Sequence, residues 1–199
     1  KDIRAGSGHS YARYLTDVGG TLYFNASSAG SRDLWKSDGT EAGTVRVTSI
    51  STGSFYGPQS LTNVAGTLYF VDEPSLRERE LWKSDGTEAG TVLVKDIYGT
   101  KSSEPRSLTN VGGTLYFSAL DSPSGRELWK SDGTEAGTRL VKNIAGFVSS
   151  SPNSLTNVGG TLYFVANDVV SGTELWKSDG SEAETVRVKD IRAGSSNSF

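Results

Sequence analysis

The chain has 199 residues, enough for one sizeable core, and carries 20 basic against 23 acidic side chains for a formal charge of −3. That near-balance argues against a nucleic-acid footprint, and no apolar run approaches the roughly 20 residues a membrane helix needs. With no cysteine and one histidine, disulfide frameworks, thiol catalysis, Cys-ligated zinc and most His-based triads and metal sites are excluded. Methionine is also absent, so the chain is expected to be processed or to be a piece of a longer one.

Read in chain order, the sequence repeats. Leu-Trp-Lys-Ser-Asp-Gly occurs four times, at Trp35, Trp82, Trp129 and Trp176, spaced by 47 residues. Thr-Leu-Tyr-Phe recurs at Thr21, Thr67, Thr114 and Thr161. The repeats run 4–50, 51–97, 98–144 and 145–191, with overlapping partial repeats at 1–3 and 192–199. The string Lys-Asp-Ile-Arg-Ala-Gly-Ser stands at both ends, Lys1–Ser7 and Lys189–Ser195. One structural slot is thus written twice. The C-terminal copy, through Ile191, is expected to hold it, because a complete strand precedes it.

Each repeat reads as four strands. In the third, Ser107–Val111 ends at a Gly-Gly turn beside Asn110, and Thr114–Ala119 is rich in aromatic and β-branched residues. A polar loop leads to Glu127–Ser131; Asp132-Gly133 opens a hairpin, and Thr138–Ile144 follows. No segment shows helical periodicity. Four strands per 40–50 residues predict an all-β β-propeller of four four-stranded antiparallel blades, residues 1–199 forming one domain.

The segment Glu80–Ile97, ELWKSDGTEAGTVLVKDI, resembles the ELWxxDGT repeat family of bacterial proteins. The resemblance covers all four repeats. The fourth departs at Ser181 and Glu184, and the first has Asp33 where the others have Glu80, Glu127 and Glu174. The resemblance implies a propeller-like fold and an extracellular or cell-surface bacterial setting; it supplies no reaction and no catalytic residues.

Residues repeated at one offset are expected wherever every blade meets the same neighbour, so the tryptophans are read as packing rather than as sugar platforms. Asp38, Asp85, Asp132 and Asp179 are expected to accept backbone N–H groups within their own turns, not to hold calcium. Lys36, Lys83, Lys130 and Lys177 are expected to pair across the hairpin with Glu41, Glu88, Glu135 and Glu182.

Variation concentrates in two loops per repeat, which a four-strand meander places on one rim. His9, Tyr11, Tyr14, Phe55, Tyr56, Tyr98 and Phe147 put aromatic rings there and are the candidate ligand-binding residues. No motif points to a catalytic residue, a metal or a cofactor. The expected function is a non-enzymatic extracellular interaction module binding protein or glycan, without nucleic acid or membrane insertion. A structural spacer or self-assembly element associating through an open edge is a second reading, and a weak glycoside-type hydrolase a third.

Overall fold

A computed structural model describes residues 1–6, 8–28, 30–48, 57–73, 78–99 and 101–191. It contains sixteen strands and, among the described residues, no helix. The first sheet is β1 (Arg13–Val18), β2 (Thr21–Ser27), β3 (Arg32–Ser37) and β4 (Val45–Thr48). The second is β5 (Gln59–Val64), β6 (Thr67–Asp72), β7 (Glu80–Ser84) and β8 (Val92–Lys95). The third is β9 (Arg106–Val111), β10 (Thr114–Asp121), β11 (Gly125–Ser131) and β12 (Arg139–Lys142). The fourth is β13 (Asn153–Val158), β14 (Thr161–Asn167), β15 (Thr173–Ser178) and β16 (Val186–Lys189).

Every sheet is an antiparallel meander in chain order, the connection that short turns dictate. Register recurs as well: Phe24, Phe70, Phe117 and Phe164 pair with Trp35, Trp82, Trp129 and Trp176. The Ser107–Val111 and Thr114–Ala119 expectations hold with small extensions. The last strand of the repeat stops at Lys142, and it starts at Arg139 because Thr138 belongs to the preceding turn: its Oγ1 donates to the Thr134 carbonyl at 2.7 Å.

The chain divides into two compact units, Lys1–Asp96 and Ile97–Phe199. In the first, Val18, Tyr23, Leu34 and Val47 of the first sheet pack on Leu68, Phe70 and Trp82 of the second. In the second, Val111, Tyr116, Leu128 and Val141 of the third sheet pack on Leu162, Phe164, Ala166 and Trp176 of the fourth. Both clusters follow from period-two alternation. In β10 and β14 alternate residues point to opposite faces, and sheet stacking buries the Leu-Phe-Ala set against the neighbour's Tyr-Leu-Val set. Each fully buried Leu or Phe in such an interface contributes about 1.5–3 kcal/mol. The tryptophans are part of these layers: Trp35, Trp129 and Trp176 are each 7% exposed, and Trp82 is partly buried.

Ile3 packs against Phe24, Ala26 and Trp35 of the first sheet, as Ile144 packs in the cluster containing Phe164, Ala166 and Trp176. Ile191 is 62% exposed. Within the first unit, the N-terminal copy of the duplicated string thus packs on the first sheet through Ile3. The reason is chain economy: Ile3 is only a short loop from β1, so closing that contact costs little entropy.

Candidate functional site: the loop rim

Two connections meet at one edge of the first, third and fourth sheets. The segment entering a sheet offers a carbonyl to the end of that sheet's second strand: Ser10 O accepts Ser27 N at 2.7 Å, Ser103 O accepts Leu120 N at 2.7 Å, and Ser150 O accepts Asn167 N at 2.9 Å. In these three sheets the two variable connections share an edge, as expected; those of the second sheet lie largely outside the described residues.

The next residue is left-handed in all four repeats: Tyr11 (φ 45°), Gly57 (59°), Glu104 (44°) and Ser151 (50°). Three residues later a second left-handed position carries Tyr14, Ser60, Ser107 and Ser154, with φ of 56°, 53°, 56° and 53°. The second position sits in the register shift at the start of each inner strand and marks a β-bulge. Thr16, Thr62, Thr109 and Thr156 hold it, each Oγ1 donating to the carbonyl two residues back at 2.9–3.0 Å. Such backbone costs on the order of 1–3 kcal/mol per non-glycine residue. Because every repeat makes it, the strain at Tyr11 and Tyr14 belongs to the scaffold. What differs is the side chain presented.

An arginine at the start of the third strand braces the first of these positions. Arg32 Nη1 donates to the Tyr11 carbonyl at 3.4 Å and Arg126 Nη1 to the Glu104 carbonyl at 2.8 Å. In the first unit the Arg32 guanidinium also lies 5.8 Å from the Tyr11 ring centroid, and His9 meets Tyr11 at 5.4 Å. Tyr11 keeps 51% of its surface exposed. Asn25 lies buried beneath, accepting from Arg32 Nη1 at 3.4 Å and donating to the Pro58 carbonyl at 2.7 Å. In the second unit the same positions are ionic: Glu104 Oε2 accepts from Arg126 Nη2 at 2.9 Å and also from Arg106. Burial, with Arg106 beside it, lowers the Arg126 guanidinium from its ordinary value, and Glu104 partly offsets this.

Behind the rim lies a buried carboxylate. Glu127 is fully buried; its Oε1 accepts Ser150 N at 3.0 Å and its Oε2 accepts Ile144 N at 3.1 Å and the Ser150 hydroxyl. Burial pushes its carboxyl up, against the pull of those hydrogen bonds. It ties the segment leaving the third sheet to the segment entering the fourth. This explains the Glu that opens the Glu-Leu-Trp string as structural.

Of the sequence-predicted site residues, His9 and Tyr11 come together with Arg32. Tyr14 is 43% exposed on β1. Tyr98 lies under Lys101, 5.5 Å from its ring centroid, and Phe147 is 97% exposed. Phe55 and Tyr56 lie outside the described residues. Arg32, Asn25, Glu104 and Arg126 were not anticipated. The available signal was Arg32, Arg79 and Arg126 at one offset before the first three Leu-Trp pairs, with Thr173 before the fourth.

The opposite turns are self-contained. Thr40, Thr87, Thr134 and Ser181 donate backbone N–H to Asp38, Asp85, Asp132 and Asp179 Oδ1 at 2.8–2.9 Å, and their hydroxyls donate to the same oxygens. These bonds hold all four aspartates below the ordinary carboxylate value.

No protein-family model matches the chain, and no curated protein does. Solved structures do. A prolyl endopeptidase aligns at TM-score 0.57 and 14% identity over 87% of this chain and 25% of its own. A puromycin hydrolase aligns at TM-score 0.55 and 14% identity over 92% of this chain and 30% of its own. An α-L-arabinofuranosidase from Clostridium thermocellum is also similar, at TM-score 0.39 and 12% identity over 91% of this chain and 72% of its own. This chain thus spans well under half the length of the first two. At 14% identity the likeness to the first two is one of fold alone, and the fold of this chain is all-β and propeller-like.

Proposed function

We propose that the four sheets are blades of a 47-residue propeller repeat and that the chain is a non-enzymatic interaction module binding a glycan or protein through its rim. The observation that supports this reading is the left-handed rim position. One backbone kink carries Tyr11, Gly57, Glu104 and Ser151 in turn, braced by an arginine at Tyr11 and Glu104, a recurring scaffold with changing side chains, which is how recognition loops are built. The exposed Tyr11 ring between His9 and Arg32 supplies an apolar face with adjacent donors, suited to a sugar ring or to a peptide side chain. The resemblance to the ELWxxDGT family supports an extracellular setting. The hydrolase names of the similar structures describe those proteins.

The test is binding to a glycan array and to immobilised surface proteins, with wild type and a Tyr11→Ala, Arg32→Ala double variant. Binding that falls at least tenfold in the double variant, at unchanged melting temperature, supports the reading. Binding equal in both chains, or turnover of a glycoside panel, removes it.

A further inference from the structure

We propose that the Asp-Gly turn of every repeat is a latent isoaspartate site, which the serine before it and the threonine or serine after it keep closed while the turn stays folded. Asp38-Gly39, Asp85-Gly86, Asp132-Gly133 and Asp179-Gly180 are open to this modification by sequence, because glycine has no Cβ to hinder attack by its own nitrogen. In the reaction that nitrogen attacks the aspartate Cγ. A C–N bond forms, a Cγ–O bond breaks, and the amide proton leaves with the carboxyl hydroxyl as water. The succinimide then takes up water at either carbonyl. It returns aspartate or gives isoaspartate, in which the chain runs through the side chain.

The attacking nitrogen is already engaged. Gly39, Gly86, Gly133 and Gly180 donate N–H to the hydroxyls of Ser37, Ser84, Ser131 and Ser178 at 2.9–3.0 Å. All four serines are buried. Thr44, Thr91, Thr138 and Thr185 Oγ1 lie 2.7–2.8 Å from them, and each donates its own proton to a turn carbonyl at 2.6–2.7 Å. The serine therefore donates to that threonine and accepts from the glycine. Attack requires the nitrogen to shed its proton and turn toward Cγ, and a pinned N–H opposes both.

The carboxylate is held as well. Oδ1 of Asp38, Asp85, Asp132 and Asp179 accepts the N–H and the hydroxyl of Thr40, Thr87, Thr134 and Ser181, at 2.7–2.9 Å, a local bond that ties the side chain to the residue beyond the glycine. Gly43, Gly90 and Gly137 donate N–H to the same hydroxyls at 2.9 Å, and Glu184 does so at 3.1 Å. Each hydroxyl is thereby left to point its proton at the aspartate. Ring closure expels water from a protonated carboxyl more readily than from a carboxylate. The same bonds hold all four carboxyls below their ordinary value, so less of the reactive form is present at neutral pH.

The placement gives the modification a consequence. Isoaspartate adds one methylene to the backbone of a turn. Lys36 and Lys130 grip the Gly86 and Gly180 carbonyls of such turns from the neighbouring sheet. Closure of the site therefore protects a contact between sheets in each unit.

The test is peptide mapping with an isoaspartyl methyltransferase on the folded 199-residue chain, held for weeks at neutral pH beside a synthetic Ser-Asp-Gly-Thr-Glu-Ala peptide. Each turn is expected to gain isoaspartate roughly tenfold more slowly than the peptide, or slower still, because several hydrogen bonds must break first. Thr87→Ala should speed Asp85 by roughly the same factor and leave Asp38, Asp132 and Asp179 slow. Thr87→Ser should stay slow, since Ser181 makes the same bonds. Isoaspartate at the peptide's rate in any folded wild-type turn overturns the proposal, as does a folded Thr87→Ala chain whose Asp85 is no faster. The three unaltered turns report folding: should that variant unfold, all four sites reach the peptide's rate together, and the wild-type comparison decides alone. The readout is covalent, so it stands or falls separately from rim binding.

Discussion

Lys130 Nζ donates to the backbone carbonyl of Gly180, 50 residues away in the next sheet, at 2.7 Å. Lys36 makes the same bond to Gly86 at 2.9 Å, over the same separation. These lysines lie on the third strand of one sheet and grip the Asp-Gly turn of its neighbour. The hairpin pairing with Glu41 and Glu135 that the sequence suggests is not what they make. The tyrosines take part as well: Tyr116 OH donates to the Asp179 carbonyl at 3.3 Å. Desolvation, and then the charge of Asp85 or Asp179, raises the Tyr23 and Tyr116 phenols above their ordinary value. A charged donor on a carbonyl at a partly dry interface contributes about 1.5–3 kcal/mol.

Gly180→Ala and Gly86→Ala should cost more than Gly39→Ala. All three glycines have positive φ, 95°, 88° and 93°, so each alanine meets the same backbone penalty, about 1–2 kcal/mol. Only the first two also drive a Cβ into a tyrosine hydroxyl. Denaturant unfolding should show the two interface glycines losing at least 1 kcal/mol more than Gly39, roughly the worth of one displaced hydrogen bond. Equal losses at all three would mean that the turns do not lock the sheets together.

Trp129→Ala should lose about 3–5 kcal/mol, the usual range for deleting a buried large aromatic. Trp82→Ala should lose less, because Trp82 is only partly buried in its cluster. Chemical denaturation at one temperature reads both. Melting within a degree of wild type for Trp129→Ala would contradict the packing role.

The acid limb of stability should trace to the turn aspartates. Their folded values are lowered, so their contribution is present above the unfolded value of about 3.9 and is lost as pH falls through the folded value. Asp85→Asn with Asp132→Asn should flatten the loss below about pH 4. Glu127 acts oppositely: burial raises it, so its charge costs stability above its folded value, and the cost is fully relieved below the unfolded value of about 4.3. Glu127→Gln should remove that opposing slope. Thermal melts from pH 3 to 8 separate the two; an unchanged profile in both variants would refute the assignment.

Chelation should leave the fold intact. Each turn aspartate already spends Oδ1 on a backbone N–H and a hydroxyl, so its negative charge is met without a cation. Excess EDTA should not move the melting temperature. A drop of several degrees that calcium reverses would show that the turns bind metal.

Gly90→Ala and Gly137→Ala probe a different part of the same turn. A Cβ there meets the Asp85 or Asp132 carboxylate at 2.0–2.1 Å, so either variant should force a small local shift and lower stability modestly, read by denaturant titration, with the aspartate keeping its bonds as Asp179 does. The fourth repeat has Glu184 at this place, and its N–H donates to Ser181 Oγ at 3.1 Å, against 2.9 Å from Gly137 N to Thr134 Oγ1.

The parts legible in the sequence were those with local causes. Thr-Leu-Tyr-Phe alternates with period two, Asp-Gly supplies the turn, and Asp132 finds Thr134 two residues away, so strands, hairpins and turn chemistry could be read directly. Recurrence at one offset likewise identified Trp129 as packing, because stacked repeats present the same neighbour each time. Long-range partners could not be read this way. Lys130 chose the Gly180 carbonyl over a nearby glutamate because stacking brought that turn within reach of a flexible chain. Glu127 became the anchor between two sheets because burial left it only Ser150 and Ile144 as donors. The site divided along the same line. Aromatic loop composition pointed to Tyr11 and His9, but Arg32 joined them only once the second rim loop folded against the first. The duplicated Lys-Asp-Ile string announced one slot for two claimants. Only the tertiary structure showed Ile3 packed on Phe24, Ala26 and Trp35, a contact that its short path to β1 makes cheap to close.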